Sequence, residues 1–249
     1  MKRITLIATL ILSVGLISLL NAADKPPVPK SSPVVLELFT SEGCSSCPPA
    51  DALIAKINRE FKGEEVFILT YHVDYWNRLG WKDPFSKPAY SARQYQYGDY
   101  FKLGSIYTPQ LIVNGAAQFV GSDERRLRSE LAKNTSSIQN AKLSIDDIVV
   151  DKNTAKVSFS VVDANPNDEI KISLVQKVAS SNVLNGENRG LKLSHVQVVR
   201  DQQTLPSTAK AKTVLLQLPS TFDPTKYEII GFVQSSGVGK ISGATRKSF

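Results

Sequence analysis

Two cysteines, and only two, occur in the 249-residue chain, and they stand three positions apart as Cys44-Ser45-Ser46-Cys47. In an oxidising compartment such a pair closes as a disulfide. A bridge around two residues removes little entropy from the unfolded chain, because stabilisation grows with loop size. The pair therefore reads as redox or metal-binding chemistry rather than as a structural staple. The usual four-thiolate zinc site is out of reach with two thiols. A smaller ligand set of Cys44, Cys47 and His72 would suit Cu(I) or Zn(II).

The elements that must hold these residues follow from patterning. Val34–Phe39 is a buried-strand run, and Leu53, Ile54, Ile57 and Phe61 recur at helical spacing after Pro48-Pro49. Val66–Val73 reads as a second strand, and Asp74–Tyr107 as a long segment with helical character around 86–100. Gln110–Val113 and Gln118–Val120 flank an Asn114-Gly115 hairpin turn. Ser122 is positioned to cap a helix over 123–133. Strand, helix, strand, helical insertion, strand, hairpin, strand, helix is a layered α/β order, and it is the order of the thioredoxin fold. From about Gln139 seven strands without a helix imply a β-sandwich. The expected organisation is thus a thioredoxin-like α/β domain over 34–138 with an aromatic-rich helical insertion, followed by an all-β sandwich domain over 139–249.

That order places Cys44 at a helix start, where unpaired N–H groups and the helix dipole favour a thiolate. Cys44 is then the exposed nucleophile and Cys47 the resolving thiol. Thr108-Pro109 opens a strand before the hairpin, where the thioredoxin fold has a cis-proline facing the dithiol. Both Trp residues and seven of the eight Tyr residues lie between Tyr71 and Tyr107. They read either as a satellite core for the insertion or as a substrate platform built from Tyr75, Trp76 and Trp81. His72 ends a strand, with Asp74 near enough in sequence to orient it. His195 falls where strand alternation slips, which indicates a bulge, and no chemistry is assigned to it.

Several segments are similar to a known family. These are Glu37–Asp51, including the dithiol, His72-Val73-Asp74-Tyr75-Trp76, Gly80-Trp81-Lys82-Asp83-Pro84-Phe85, Arg93-Gln94 and Tyr107-Thr108-Pro109-Gln110. They resemble the bacterial secreted family called domain of unknown function 1223, with weaker similarity through Gly186–Gly190 and His195-Val196. The resemblance implies a thioredoxin-like fold and no settled activity. Gly43 stands where thioredoxins have a Trp. Glu37 resembles the buried acid that aids proton transfer in that superfamily, one residue further from the dithiol; a structural strand glutamate is the other reading.

The N-terminus supplies the compartment. Met1-Lys2-Arg3, an apolar run over 4–20 and small residues at Asn21-Ala22-Ala23 form a secretory signal peptide over 1–23, retained as an anchor in the competing reading. A Pro-rich linker follows over 24–33. Cleavage leaves no membrane span and a periplasmic or secreted protein. It also lowers the net charge from +7 to +5, with the basic residues spread rather than clustered, which does not fit a nucleic-acid binder. The leading expectation is a thiol-disulfide oxidoreductase without a cofactor beyond its redox-active disulfide. Cys44 attacks, Cys47 resolves and Thr108-Pro109 orient the substrate backbone. Its partners would be protein or peptide thiols and disulfides, among them an unidentified redox partner. A copper- or zinc-binding protein and a redox-inert binding module are the alternatives.

Overall fold

The seven residues Val34–Thr40 form β1, and all seven are buried, so this strand is covered on both faces. The computed structural model describes residues 33–134 and 141–249. The expected signal segment, and all but the last residue of the expected linker, lie outside them. Among the described residues no helix is long and apolar enough to cross a membrane.

Strand β1 pairs in parallel with β2 (Val66–His72) and antiparallel with β3 (Gln110–Val113), which turns into β4 (Ala117–Val120). Alternation along β1 separates two faces. Leu36 and Leu38 meet α1 (Pro48–Glu60) through Leu53, Ile54 and Ile57, joined by Leu127 and Leu131 of α3 (Glu124–Asn134). Each such buried aliphatic side chain contributes about 1.5–3 kcal/mol. Val35 and Phe39 meet α2 (Pro88–Tyr100) through Tyr90 and Tyr97. Asp123, rather than Ser122, caps α3, its Oδ1 accepting the Arg126 N–H at 2.9 Å.

Two expectations are corrected here. The aromatic segment is not an insertion with its own satellite core. Tyr90 and Tyr97 pack against Phe39, Tyr71, Val175, Val199 and Phe232, so α2 is the layer that covers the second face of the main sheet. Nor is there a separate all-β sandwich domain. Strands β7 (Asp168–Asn182), β8 (Lys192–Pro206), β10 (Tyr227–Ser235) and β11 (Ile241–Ser248) join the first four in one mixed sheet, ordered β11-β10-β7-β8-β2-β1-β3-β4. The join is the parallel contact of Thr70 with Val198. It has a physical reason: β2 otherwise presents an unpaired row of N–H and C=O groups, and β8 takes that edge. A second sheet of β5 (Lys142–Asp151), β6 (Thr154–Val162) and β9 (Thr213–Gln217) packs Leu143, Val157, Phe159 and Leu216 onto Ile170, Ile172 and Ile229. The fold is a predominantly β structure with three α-helices among the described residues, not the two-part α/β-plus-sandwich expected.

Candidate functional site

The backbone leaving β1 turns at Ser41–Cys44 and enters α1 at Pro48, with Cys47 as the N-cap. Cys44 and Cys47 form a disulfide with Cα atoms 5.5 Å apart. It is therefore Cys47, not Cys44, that stands at the helix start. Pro48 and Pro49 occupy the first helical positions and carry no N–H, so two of the donors that would favour a thiolate there are missing. Both cysteines are 0% exposed, while Ser45 and Ser46 between them are exposed. The expected exposed nucleophile is covered.

The cover is polar and specific. Thr108 Oγ1 donates to Cys44 Sγ at 3.3 Å and itself accepts from Trp76 Nε1 at 2.9 Å. Ser46 Oγ lies 3.3 Å from Cys44 Sγ and donates to the Thr108 carbonyl at 3.4 Å. The Thr108–Pro109 peptide is cis. Gly121 makes this approach possible, since a Cβ there would stand 2.8 Å from Leu38 Cδ1 and 3.3 Å from Pro109 Cβ. At Gly43 a Cβ would meet Trp76 Cβ at 3.1 Å, which accounts for a glycine at this position. The loop between β7 and β8 closes the site from the far half of the chain. Asn188 Nδ2 donates to the carbonyls of Glu42 and Cys44, both at 2.9 Å, and Glu187 Oε2 accepts the Ser45 N–H at 2.9 Å.

Beside the disulfide lies a buried charged cluster that sequence reasoning missed. Glu42 precedes Cys44 by two residues, and Asp51 follows Cys47 by four. They are 0% and 6% exposed, and His195 of β8 stands between them at 1%. His195 Nε2 lies 3.2 Å from Glu42 Oε1, and its Nδ1 lies 3.5 Å from Asp51 Oδ2, within ion-pair reach but without a hydrogen bond. Burial alone would lower the imidazole pKa, but the Asp51 and Glu42 carboxylates carry it up to about 10. Trp81 Nε1 at 2.9 Å and Ser181 Oγ at 2.5 Å also donate to Glu42, and Thr40 Oγ1 donates to Asp51 Oδ2 at 3.3 Å.

His72 packs edge-on to His195 with ring centroids 4.6 Å apart. Its Nδ1 meets Asp83 Oδ2 at 2.7 Å, and Asp83 also accepts the N–H groups of Glu42 and Phe85. Burial works to raise the Asp83 pKa, yet His72 and these backbone donors bring it below the usual carboxylate range. Asp74, the expected partner of His72, is turned instead to Ser91.

The structure thus brings Cys44, Cys47, Thr108, Pro109 and Trp76 together, and ties Trp81 to the cluster through Glu42. Tyr75 stands beside them, its ring centroid 6.4 Å from that of Trp76, and donates to Gln94 Oε1 at 3.1 Å; burial pushes its phenol up to about 12 against the lowering pull of Thr108 and Gln94. Glu37 is not brought to the disulfide. It shares the β1 face of Val35 and Phe39, opposite α1, where Arg93 Nε donates to it at 2.9 Å and Tyr97 also bonds it. Cys44, Cys47 and His72 are not assembled as ligands, and no three His, Cys, Asp or Glu side chains among the described residues form a metal-holding group. The missed residues left one legible trace: Asp51 is a carboxylate on the helix face otherwise carrying Ala50, Leu53, Ile54 and Ile57.

The sequence model of the family described as "Protein of unknown function (DUF1223)" matches residues 35–234. The chain belongs to this family. The match confirms the resemblance carried by the dithiol and Thr108-Pro109 segments, together with its weaker part through Gly186–Gly190 and His195-Val196, and reaches into β10. An Agrobacterium tumefaciens protein solved by X-ray crystallography is 28% identical, with a TM-score of 0.64 over 87% of this chain and 94% of its own. HBP35 of Porphyromonas gingivalis has a TM-score of 0.62 at 17% identity, over 88% of this chain and 76% of its own, a likeness of fold alone. No curated protein matches the sequence.

Proposed function

We propose that this DUF1223 chain is a secreted thiol-disulfide exchange protein working through Cys44 and Cys47. The observation that carries the reading is the setting of the disulfide. The chain's only cysteines close a two-residue loop at a helix start, with the Thr108 hydroxyl donating to Cys44 Sγ beside a cis Thr108–Pro109 peptide. A loop that small contributes little to stability, so reactivity is the better account of the pair. Cys44 is the attacked and attacking sulfur, because the substrate-facing groups Thr108, Ser46 and Trp76 gather on it. An extended substrate would lie along Thr108 after displacing Ser46. The leader over residues 1–23 supplies the oxidising compartment in which the pair cycles.

The test uses the reduced Cys47→Ser chain with glutathione disulfide. It should accumulate a one-to-one mixed disulfide at Cys44, read by mass, while the reduced parent passes through the adduct and regains its own disulfide. The same variant then serves as bait for physiological partners in periplasmic extract. A Cys47→Ser chain that forms no adduct despite native folding would sink the exchange reading and leave the binding-module alternative.

A further inference from the structure

Thiol-disulfide exchange requires Cys47 to lose its proton, and a buried thiol resists this because the thiolate would forgo its hydration. Pro48 and Pro49 remove two helix-start donors that would otherwise help. Some group must therefore take the proton. Glu37 is engaged by Arg93 and Tyr97 on the opposite face of β1.

We infer that Asp51 is the proton acceptor for Cys47, and that His195 is the positioning residue that holds its carboxylate in place; this rests on the exchange reading above. Three observations carry it. The Asp51 N–H bonds the Cys47 carbonyl at 3.1 Å, so the two residues are one helical turn apart and their side chains leave the same face of α1. Asp51 is nine-tenths buried, and its Oδ1 has no hydrogen-bond partner, a costly state for a carboxylate oxygen unless it serves a purpose. The third is the composition of the cluster: two carboxylates, Glu42 at 3.2 Å and Asp51 at 3.5 Å, face the single His195 ring between them. The other titratable groups beside the trio are His72, whose ring packs edge-on to that of His195, and Asp83, which is paired with His72. A strained backbone residue lies close by: Gln197, two residues after His195 within β8, has φ of 54°.

The step balances as follows. With Cys44 joined to a substrate sulfur, the Cys47 thiol passes its proton to Asp51 Oδ1, and the thiolate attacks Cys44 Sγ. The Cys44–Cys47 bond forms, the bond to the substrate breaks, and the substrate leaves as a thiolate that recovers a proton from Asp51 or solvent. The cysteine pair is oxidised by two electrons and the substrate disulfide reduced by two.

Mixed-disulfide formation and ring closure are separated by mixing the reduced full chain with glutathione disulfide, quenching in acid and weighing the products from pH 5 to 9. In Asp51→Asn, adduct formation should stay within about threefold of the parent. Ring closure should slow at least tenfold at pH 6, then rise steeply and approach the parent near pH 9, a loss at the lower end of typical general-base effects of about 10²–10⁴ or below. Asp51→Glu should recover part of the loss. An Asp51→Asn chain that closes as fast as the parent at pH 6 overturns the inference. The parent alone decides it if the variant does not fold: closure rising less than threefold from pH 6 to 8 supports an internal acceptor, whereas a tenfold rise per pH unit overturns it. Absence of any adduct in Cys47→Ser marks the failure of the exchange reading itself, a different result from an adduct that forms and closes without Asp51.

Discussion

Raising the pH from 6.5 to 9.5 should destabilise the disulfide-bonded protein through one buried residue, His195. Its imidazole has a pKa of about 10 in the fold against 6.5 when unperturbed. A group whose folded pKa is raised binds its proton more tightly in the native state. Its stabilisation is complete below pH 6.5 and is lost as pH climbs through about 10. At about 1.4 kcal/mol per pKa unit the whole shift caps the effect at roughly 5 kcal/mol. The effective contribution is smaller, about 2–3 kcal/mol, because the Nδ1–Asp51 approach of 3.5 Å lacks hydrogen-bond geometry. Urea unfolding of the parent and of His195→Gln at half-unit pH steps measures it. The parent midpoint should fall across this window. At pH 6.5 the variant should be less stable by about 3–5 kcal/mol, since Glu42 and Asp51 lose their buried counter-charge, and its midpoint should be nearly flat. A flat parent profile, or a variant as steep as the parent, would refute the ionised His195 between two carboxylates.

Arg93→Met should cost about 3–5 kcal/mol by leaving Glu37 buried without its cation. Thermal melts should register that loss, while the rate at which dithiothreitol reduces Cys44–Cys47 stays within twofold of the parent. Asn188→Ala removes two hydrogen bonds to buried carbonyls and should cost about 1–3 kcal/mol. Here the reduction rate should rise several-fold as the covering loop loosens, and an unchanged rate would show that this loop does not protect the disulfide.

Local chemistry made much of this molecule legible in advance. Asn114-Gly115 does turn a hairpin, both residues having positive φ. Seven strands do follow Gln139 among the described residues, but the bulge expected at His195 is not there: the β7–β8 register runs unchanged from Ala179 and His195 to Val175 and Val199 and shifts only at Leu174. What stayed hidden depends on contacts distant in sequence. Nothing near Thr70 announces that its neighbouring strand will come from Val198, so the shared sheet read as two structures. Tyr90 and Tyr97 have the same composition whether they line a private core or cover the main sheet. Glu37 and Asp51 illustrate the limit for the site. Both are carboxylates near the dithiol in sequence, and only strand alternation against helical periodicity separates the one facing Arg93 from the one on the Cys47 side.

The joining of β8 to β2 also bears on how the site is made. Glu42 meets His195 across 153 positions, and Asn188 reaches Cys44 across 144. A chain that crosses a membrane N-terminus first presents both cysteines to the oxidising side well before these partners emerge. If the chain is exported as proposed, its sulfurs would pair in a setting without the buried histidine, the covering asparagine or the closed sheet edge. Arrival of the β7–β8 loop and β8 would then change the surroundings of that bond. The surroundings of the disulfide are thus a product of tertiary assembly, and a transplant of residues 34–138 alone would carry both cysteines without Asn188 and His195.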